Sequence, residues 1–578
     1  MLLQKLSDYF NRVEDAAPPM YIKTPIRWLI DLDRSGKLLG FVRTAGGGTG
    51  KKDRGKEFSV PHVGRSSGVR AKLLADNGEY VLGIARPKSK RERVRECHAA
   101  FVEQITKCAE ATHEPAVQAV FKFLRNWNPT SGRPPDDFDP GNVMTFRVDG
   151  ELPSDFSSVR TYWASLASPG GSDRAEAEDA GEAMQCLICG ERKPAVKRLP
   201  FKIKRIPGGQ TAGTTMISAN VPAFESYGLE ASLIAPTCHE CGERFSKAAN
   251  ALIEGEHTHI TVGPIVYIFW TKEECGFNPA TLLSRPEPDE VRALIASAFT
   301  GNAVATGLKE EPFYAAAFSA SAARVAVRDW LDTTVTNARQ NLARYFTLQQ
   351  VVDRDGSAGR PLGLFALAAS TVRDANRELP PHVPQSLLHV ALKGGPLPMG
   401  LLFQAVKRNR AEQTITRPRA ALIKIVLLSK NLDWKKEDAM VQLDPNNQNP
   451  AYLCGRLMGV LEAVQRAALP GINTTITDRF FGTASSAPAS VFSRLLRGAQ
   501  PHLAKLRRER RGTYEALQRR LEEILAGLPT FPKTLTLENQ GLFSLGYYHQ
   551  RASDRAAAAA YREARKTGEE QADAKNRS

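Results

Sequence analysis

Leu3, Leu6, Phe10 and Val13 recur at the spacing of one helix face and predict a short amphipathic helix at the start of the chain. The pattern then changes. Residues 25–42 (PIRWLIDLDRSGKLLGFV) hold two apolar runs around the turn-forming Asp33-Arg34-Ser35-Gly36, which predicts a hairpin. Helical spacing resumes over about 89–127, where Val94, Phe101, Ile105, Val117 and Phe121 stand among charges. Acidic, breaker-rich stretches at 128–142 and 168–183 predict loops. Between 186 and 270 the pattern is one of short strands and turns, and from about 320 Ala, Leu and Arg dominate, which predicts a mostly helical chain to its end. Within 440–578 a turn at Asp444-Pro445-Asn446 precedes a helix from about Ala451 to Ala468, with Leu453, Leu457, Val460, Leu461 and Val464 on one face. Further helices fall near 489–510, 513–526 and 541–566, with breaks near 470–490 and 527–536. The tail, KTGEEQADAKNRS, is expected to fray.

A chain of 578 residues exceeds a single hydrophobic core. The expected class is α+β: a mixed N-terminal region with a four-cysteine zinc-knuckle insertion, followed by an all-α C-terminal bundle. The expected division is an α/β region at 1–185, a knuckle and strand-rich region at 186–340, a helical connection at 341–439 and the bundle at 440–578.

Charge narrows the function. The 78 basic against 62 acidic side chains give +16, with a pI near 9.4. A basic surface gains affinity for polyanions by displacing condensed counterions, so nucleic acid is the favoured partner class. Residues 440–578 carry 20 basic and 13 acidic side chains, a net +7, and are expected to fold alone as a basic helical bundle. The strongest apolar run, 262–270, is far short of the roughly 20 residues of a membrane span. Asp8, Glu14 and Asp15 exclude a signal peptide, so the expected compartment is the cytoplasm.

Four of the eight cysteines form two pairs, Cys186-x-x-Cys189-Gly and Cys238-x-x-Cys241-Gly. A CxxC turn aims two thiolates at one point, and two such turns supply the tetrahedral shell of structural zinc. His239, inside the second pair, is expected to be a solvated bystander. AGGGTGKK (45–52) fails as a phosphate-binding P-loop: Ala45 stands where the first Gly is needed and Lys52 where Ser or Thr is needed. It is instead expected to be a mobile basic loop whose Lys51, Lys52, Arg54 and Lys56 are candidates for phosphate contact, the competing reading being a solvated surface loop. A second candidate track holds Arg507, Arg508, Arg510, Arg511, Arg519 and Arg520, although Glu509, Glu515, Glu522 and Glu523 balance it. His257 and His259 would share one face of a strand, but they lack the spaced carboxylates of a metal nuclease. No catalytic constellation is visible, and the chain is expected not to be an enzyme.

Four segments taken together resemble the large-subunit family of the type I-C CRISPR surveillance complex, Cascade. They are residues 25–42, then VPHVGRSSGVRAKLLADNGEYVLGI (60–84), then GGQTAGTTMISANVPAFESYG (208–228), and FYAAAFSASAARVAVRDW (313–330) ahead of a helical region ending in SLGYYHQR (544–551). They occur in the family's order over nearly the whole chain. The chain departs from that pattern at the knuckles, where the family more often has Cys-Leu-Val-Thr-Gly and no second Cys pair. The resemblance implies a non-catalytic subunit beside crRNA-bound backbone and crRNA-processing subunits. Such a subunit reads a protospacer-adjacent motif on duplex target DNA, assists R-loop formation, holds the displaced single strand and recruits a helicase-nuclease. It also implies that a small subunit is made separately from an internal start, here Met440. The rival readings are a metal-dependent nuclease using His257 and His259, and a zinc-stabilised scaffold that binds only proteins.

Within GRSSGVRAKLLADN (64–77), small donors and basic residues suit close approach to a DNA groove. Arg65, Ser66, Ser67, Arg70, Lys72 and Asn77 are therefore the candidates for motif recognition, with Asn77 as base-edge reader. The competing reading makes Asp76-Asn77-Gly78 a turn.

Overall fold

A computed structural model describes residues 1–13, 16–45, 53, 55–64, 68–129, 134–166, 180–299, 311–430 and 440–576. The chain forms two compact units: residues 1–205, 209–251 and 322–325 make the first, and 206–208, 252–321 and 326–578 the second. The fold is mixed α and β with a helical C-terminal region, as the periodicities predict.

The first unit opens with helix α1 (Leu2–Tyr9), which buries Leu6 completely. Strand β1 (Tyr21–Ile26) pairs antiparallel with β4 (Lys56–Pro61). The predicted hairpin is β2 (Trp28–Leu32) and β3 (Leu38–Arg43). Asp33 closes its turn by accepting from the backbone N–H of Ser35 at 2.8 Å and of Lys37 at 2.9 Å. A four-stranded sheet runs β3-β2-β6-β5, with β5 at Ala75–Asn77 and β6 at Val143–Val148 parallel to β2. Asp31 and Arg147 face each other across the β2–β6 pair and form a two-bond ion pair of 2.9 and 2.8 Å. After the one-turn α2 (Gly78–Val81), α3 (Arg91–Thr112) and α4 (Pro115–Asn126) bury Phe101, Ile105, Val117 and Phe123 against Ile30 and Phe146. Helix α5 (Ser157–Leu166) adds Val159 and Trp163 to the same core.

The region from 180 differs from expectation. Strands β7 (Ala180–Gln185) and β8 (Arg192–Val196) form a hairpin, but a 16-residue helix, α6 (His239–Glu254), stands where the pattern predicts only strands and turns. Its apolar positions, Phe245, Ala248, Ala249, Leu252 and Ile253, follow helical spacing and are buried.

In the second unit the sheet order is β12-β11-β10-β9, from β9 (His259–Val262), β10 (Ile265–Thr271), β11 (Pro312–Ser321) and β12 (Arg324–Thr334). Strand β10 is buried along its whole length, which explains its unbroken apolar run. The helical region begins at α7 (Val335–Leu348), not near 320; four alanines in β11 mask its strand character, and charges at Arg324, Arg328, Asp329 and Asp332 interrupt the apolar pattern of β12. Helices α8 (His382–Lys393), α9 (Met399–Glu412) and α10 (Arg417–Ser429) follow. The C-terminal helices are α11 (Pro450–Ala468), α12 (Ile476–Ala484), α13 (Phe492–Glu509), α14 (Arg511–Ala526) and α15 (Leu537–Asn576). Helix α12 occupies a stretch expected to be a break; a capping box of Thr475 and Asp478 starts it.

Helix α11 is buried on nearly every side. It meets α15 at two glycines: a Cβ on Gly455 would stand 2.0 Å from the Phe543 carbonyl oxygen, and one on Gly546 2.1 Å from that of Tyr452. Only backbones without side chains pass so closely. Helix α15 also packs beyond the C-terminal segment, with Gly541 against Leu402, Ile423 and Leu427 and the Tyr548 hydroxyl donating to the Val352 carbonyl at 2.9 Å. No helix among the described residues is long and apolar enough to cross a membrane.

Candidate metal centre and nucleic-acid interface

The sulfur atoms of Cys186, Cys189, Cys238 and Cys241 all lie within 4.8 Å of one another, and no other group of three or more His, Cys, Asp or Glu among the described residues converges in this way. The first pair lies in the turn after β7. There the Gly190 N–H donates to the Cys186 carbonyl at 2.9 Å, and Gly190 takes φ +77°, as the glycine after a knuckle should. The second pair is not a free knuckle. Cys238 immediately precedes α6 and Cys241 lies in its first turn, where the helix N-terminus favours thiolate. Gly242 therefore serves packing and not turn geometry: a Cβ there would sit 3.1 Å from Leu199 and 3.7 Å from Pro200. The Cys238 N–H points at the Cys186 sulfur at 3.4 Å, and Cys189 and Cys238 are 4.0 Å apart at sulfur. Hydrogen bonding from Cys241 pulls the Cys238 thiol down to about 5, while that same bond and burial push Cys241 up. Four thiols this close fit a tetrahedral metal ion. His239 is half-buried, with Nδ1 4.0 Å from Glu243, and does not join the four sulfurs.

The cluster fixes its surroundings. Ala195 of β8 bridges Cys238, and the Val196 N–H donates to the Thr237 carbonyl at 3.0 Å, so β8 is tied to the start of α6. Downstream on α6, Glu243 accepts from the Met20 N–H at 2.8 Å and pairs with Lys247 at 2.5 Å. Lys247 donates to the carbonyls of Ala17 and Pro18, and Arg244 to that of Ser7 at 3.0 Å. Helix α6 thereby anchors the N-terminal segment.

Directly after β8 runs 197–205, KRLPFKIKR, with five basic side chains and no acidic one. Leu199, Phe201 and Ile203 are buried, while Arg198, Lys202 and Arg205 are exposed. This run is not among the candidates that sequence reasoning singles out, although its charge and its alternation of Phe201 and Ile203 with Lys202 and Lys204 are both visible there. It adjoins the segment expected to read the motif. His62 Nε2 donates to the Pro200 carbonyl at 3.2 Å, and the ring lies 5.0 Å from that of Phe201. Enclosure, and then the Lys72, Lys204 and Lys247 ammonium groups, push its pKa down to about 3, so the ring is neutral at neutral pH.

Of the six motif-reading candidates, Arg65, Ser66 and Ser67 lie outside the described residues. Arg70 and Lys72 are half-buried. Asn77 ends β5 and caps α2: its side-chain oxygen accepts from the N–H groups of Glu79 at 3.0 Å and Tyr80 at 3.4 Å. That oxygen is committed to the backbone, which leaves the amide NH₂ for other contacts. Of the loop candidates, Lys51, Lys52 and Arg54 lie outside the described residues, and Lys56 starts β4 with its ammonium 5.9 Å from the Phe58 ring centroid.

In the second unit, Arg507, Arg508, Arg510 and Arg511 are exposed at the corner where α13 passes to α14. Arg519 is exposed as well, but Arg520 is drawn aside into an ion pair with Asp554 at 3.0 Å. Arg511 stands 3.8 Å from Glu515. His257 and His259 do not form a shared strand face: His257 lies in the turn before β9, and His259 Nδ1 bonds the Gly255 carbonyl at 2.7 Å.

The family model described as CRISPR-associated protein (Cas_Csd1) matches residues 3–554. No curated protein matches the chain.

The capping role of Asn77 has a measurable consequence. Asn77→Ala lowers the unfolding free energy by about 1 kcal/mol, whereas Asn77→Asp, which keeps the capping oxygen, costs little. Denaturant titration of both variants checks this, and equal loss in the two would remove the cap as the cause.

Proposed function

Since this chain belongs to the CRISPR-associated Cas_Csd1 family, we propose that it is the non-catalytic large subunit of a type I-C Cascade, reading a short motif on duplex target DNA. The match over residues 3–554 carries this reading. Base pairing with the crRNA reads most of the target, and the protein reads only the protospacer-adjacent motif and assists R-loop formation. The supporting surface lies in the first unit, where 64–77 meets the basic run 197–205. Lys202, Arg205 and Lys72 supply phosphate contacts, and the Asn77 amide supplies a donor at a base edge. In the second unit the arginine corner at 507–511 holds the displaced strand. The partners are the crRNA-bound backbone and crRNA-processing subunits and a recruited helicase-nuclease, and the setting is the cytoplasm.

DNA binding by the full chain is expected to weaken as salt rises. Charge reversal at Lys202 and Arg205 lowers the slope of log K against log[salt] by about 1 for each phosphate that is no longer neutralised. Asn77→Asp relaxes motif preference while leaving stability intact, by roughly 1–3 kcal/mol if the amide reads a base. Competition binding between duplexes with and without the motif measures it. An unchanged preference across alanine variants of Arg65, Ser66, Ser67, Arg70, Lys72 and Asn77 removes the segment from the site.

The metal held by the four cysteines is zinc in this reading, serving structure and not catalysis. One equivalent co-purifies, and chelation raises hydrogen exchange in 186–205 and at the start of α6, because binding energy here is folding energy. Metal-free protein with four freely titratable thiols and unchanged exchange would refute it.

Residues 440–578 are also made separately from Met440 as a small subunit. The face of α15 that meets Leu402, Ile423 and Leu427 would then be free to dock on neighbouring subunits. Expression of the intact gene yields a second, C-terminal product that Met440→Ala abolishes; a single full-length band from both genes ends the idea.

A further inference from the structure

Between Thr214 and Ser232 the first unit carries an arm rooted on the basic run. Thr214 bridges Ile203 at one end, and the Ser232 N–H donates to the Lys197 carbonyl at 3.0 Å at the other. Ala219 and Ala231 bridge each other across its neck. Beyond that neck every residue from 220 to 228 is exposed, although the stretch contains Val221 at 41 %, Phe224 at 46 % and Tyr227 at 98 %. An arm built only for solvent would not place three large apolar side chains there in succession.

The tip shows how the tyrosine is held out. Ser226 and Leu229 bridge each other, the Leu229 N–H donating to the Ser226 carbonyl at 2.9 Å, so Tyr227 and Gly228 are the two central residues of a tight hairpin turn. Both have positive φ, +54° and +72°, as a type I′ turn requires. Gly, Asn and Asp suit the first of these positions; a bulky side chain there is strained. The strained residue is the one whose side chain is almost fully exposed among the described residues. Phe224, by contrast, is covered on one face by the Arg324 guanidinium, 4.0 Å from its centroid. The root of the arm presents Arg198, Lys202 and Arg205 to solvent. A naked aromatic ring on a projecting turn, rooted among exposed cations, matches the requirements of a base-stacking platform: a π-face for the base and positive charge for its backbone.

We propose that Tyr227 stacks on an unpaired nucleobase of opened DNA, with Arg198, Lys202 and Arg205 meeting the adjoining phosphates. This deepens the DNA-recognition reading and rests on it, since an element of this kind would hold a base released as the duplex parts.

The probe is a DNA duplex with a short unpaired bubble containing 2-aminopurine, titrated with the full chain. Wild type and Tyr227→Phe are expected to quench the fluorescence. Tyr227→Asn, which suits the turn at least as well, removes the ring; it is expected to lose the quenching and bind roughly 5- to 100-fold more weakly. If wild type binds the bubble and Tyr227→Asn binds and quenches equally, stacking by Tyr227 is wrong while DNA recognition stands. If wild type binds neither bubble nor duplex, the DNA-recognition reading fails and takes this one with it. Loss of assembly with the crRNA-bound subunits in Tyr227→Asn, with DNA binding unchanged, would assign the ring to a protein partner and overturn the proposal.

Discussion

The convergence of four thiols is the constraint on which the architecture of the first unit's candidate surface depends. Cys186 and Cys189 come from the turn after β7, Cys238 and Cys241 from the start of α6, and almost fifty residues of chain separate the pairs. Their convergence brings the two ends of that long loop together, at the point where β8 is tied to the start of α6. The exposed basic run 197–205 and the arm at 214–232 lie inside the closed loop. Their own apolar contribution is small, three side chains in the run and few in the arm, so their placement rests on this closure. One to two turns further along α6, the side chains of Glu243, Arg244 and Lys247 carry the same constraint to the N-terminal segment by hydrogen bonding its backbone.

Charge in this chain divides into a portion spent on packing and a portion turned to solvent. Arg147, Lys247 and Arg520 are matched by Asp31, Glu243 and Asp554 and contribute to packing. Lys202 in one unit, and Arg507, Arg508 and Arg510 in the other, are exposed to solvent. Within a net charge of +16, residues 197–205 hold five basic side chains and no acidic one, and 507–511 four basic and one acidic, a local excess that favours a phosphate backbone. Asn77 illustrates how one side chain serves two demands, since its oxygen is spent on the helix cap and its amide hydrogens remain.

Much of this was legible in the order of residues. The β2–β3 hairpin, helices α3 and α4, helix α11 and the cysteine pairs each announce themselves through local periodicity or spacing, because the chemistry that selects them acts within a few residues. The missed elements fail for equally local reasons. Helix α6 begins at the second cysteine pair, whose knuckle signal hides the capping signal, and β11 is rich in alanine, which serves helix and strand alike. Helix α12 is short and lies between breakers.

The order of residues alone settles the class of fold, the charge, the paired cysteines and the family resemblance, all of which are properties of composition and short spacing. Folding in three dimensions adds that the basic run 197–205 adjoins the 64–77 segment, that Asn77 is half-committed to a cap, that Arg520 pairs with Asp554, and that Tyr227 is exposed at the tip of an arm. These are facts about which distant residues meet. Such meetings are fixed by burial and backbone hydrogen bonding across the whole unit, and no window along the chain contains them.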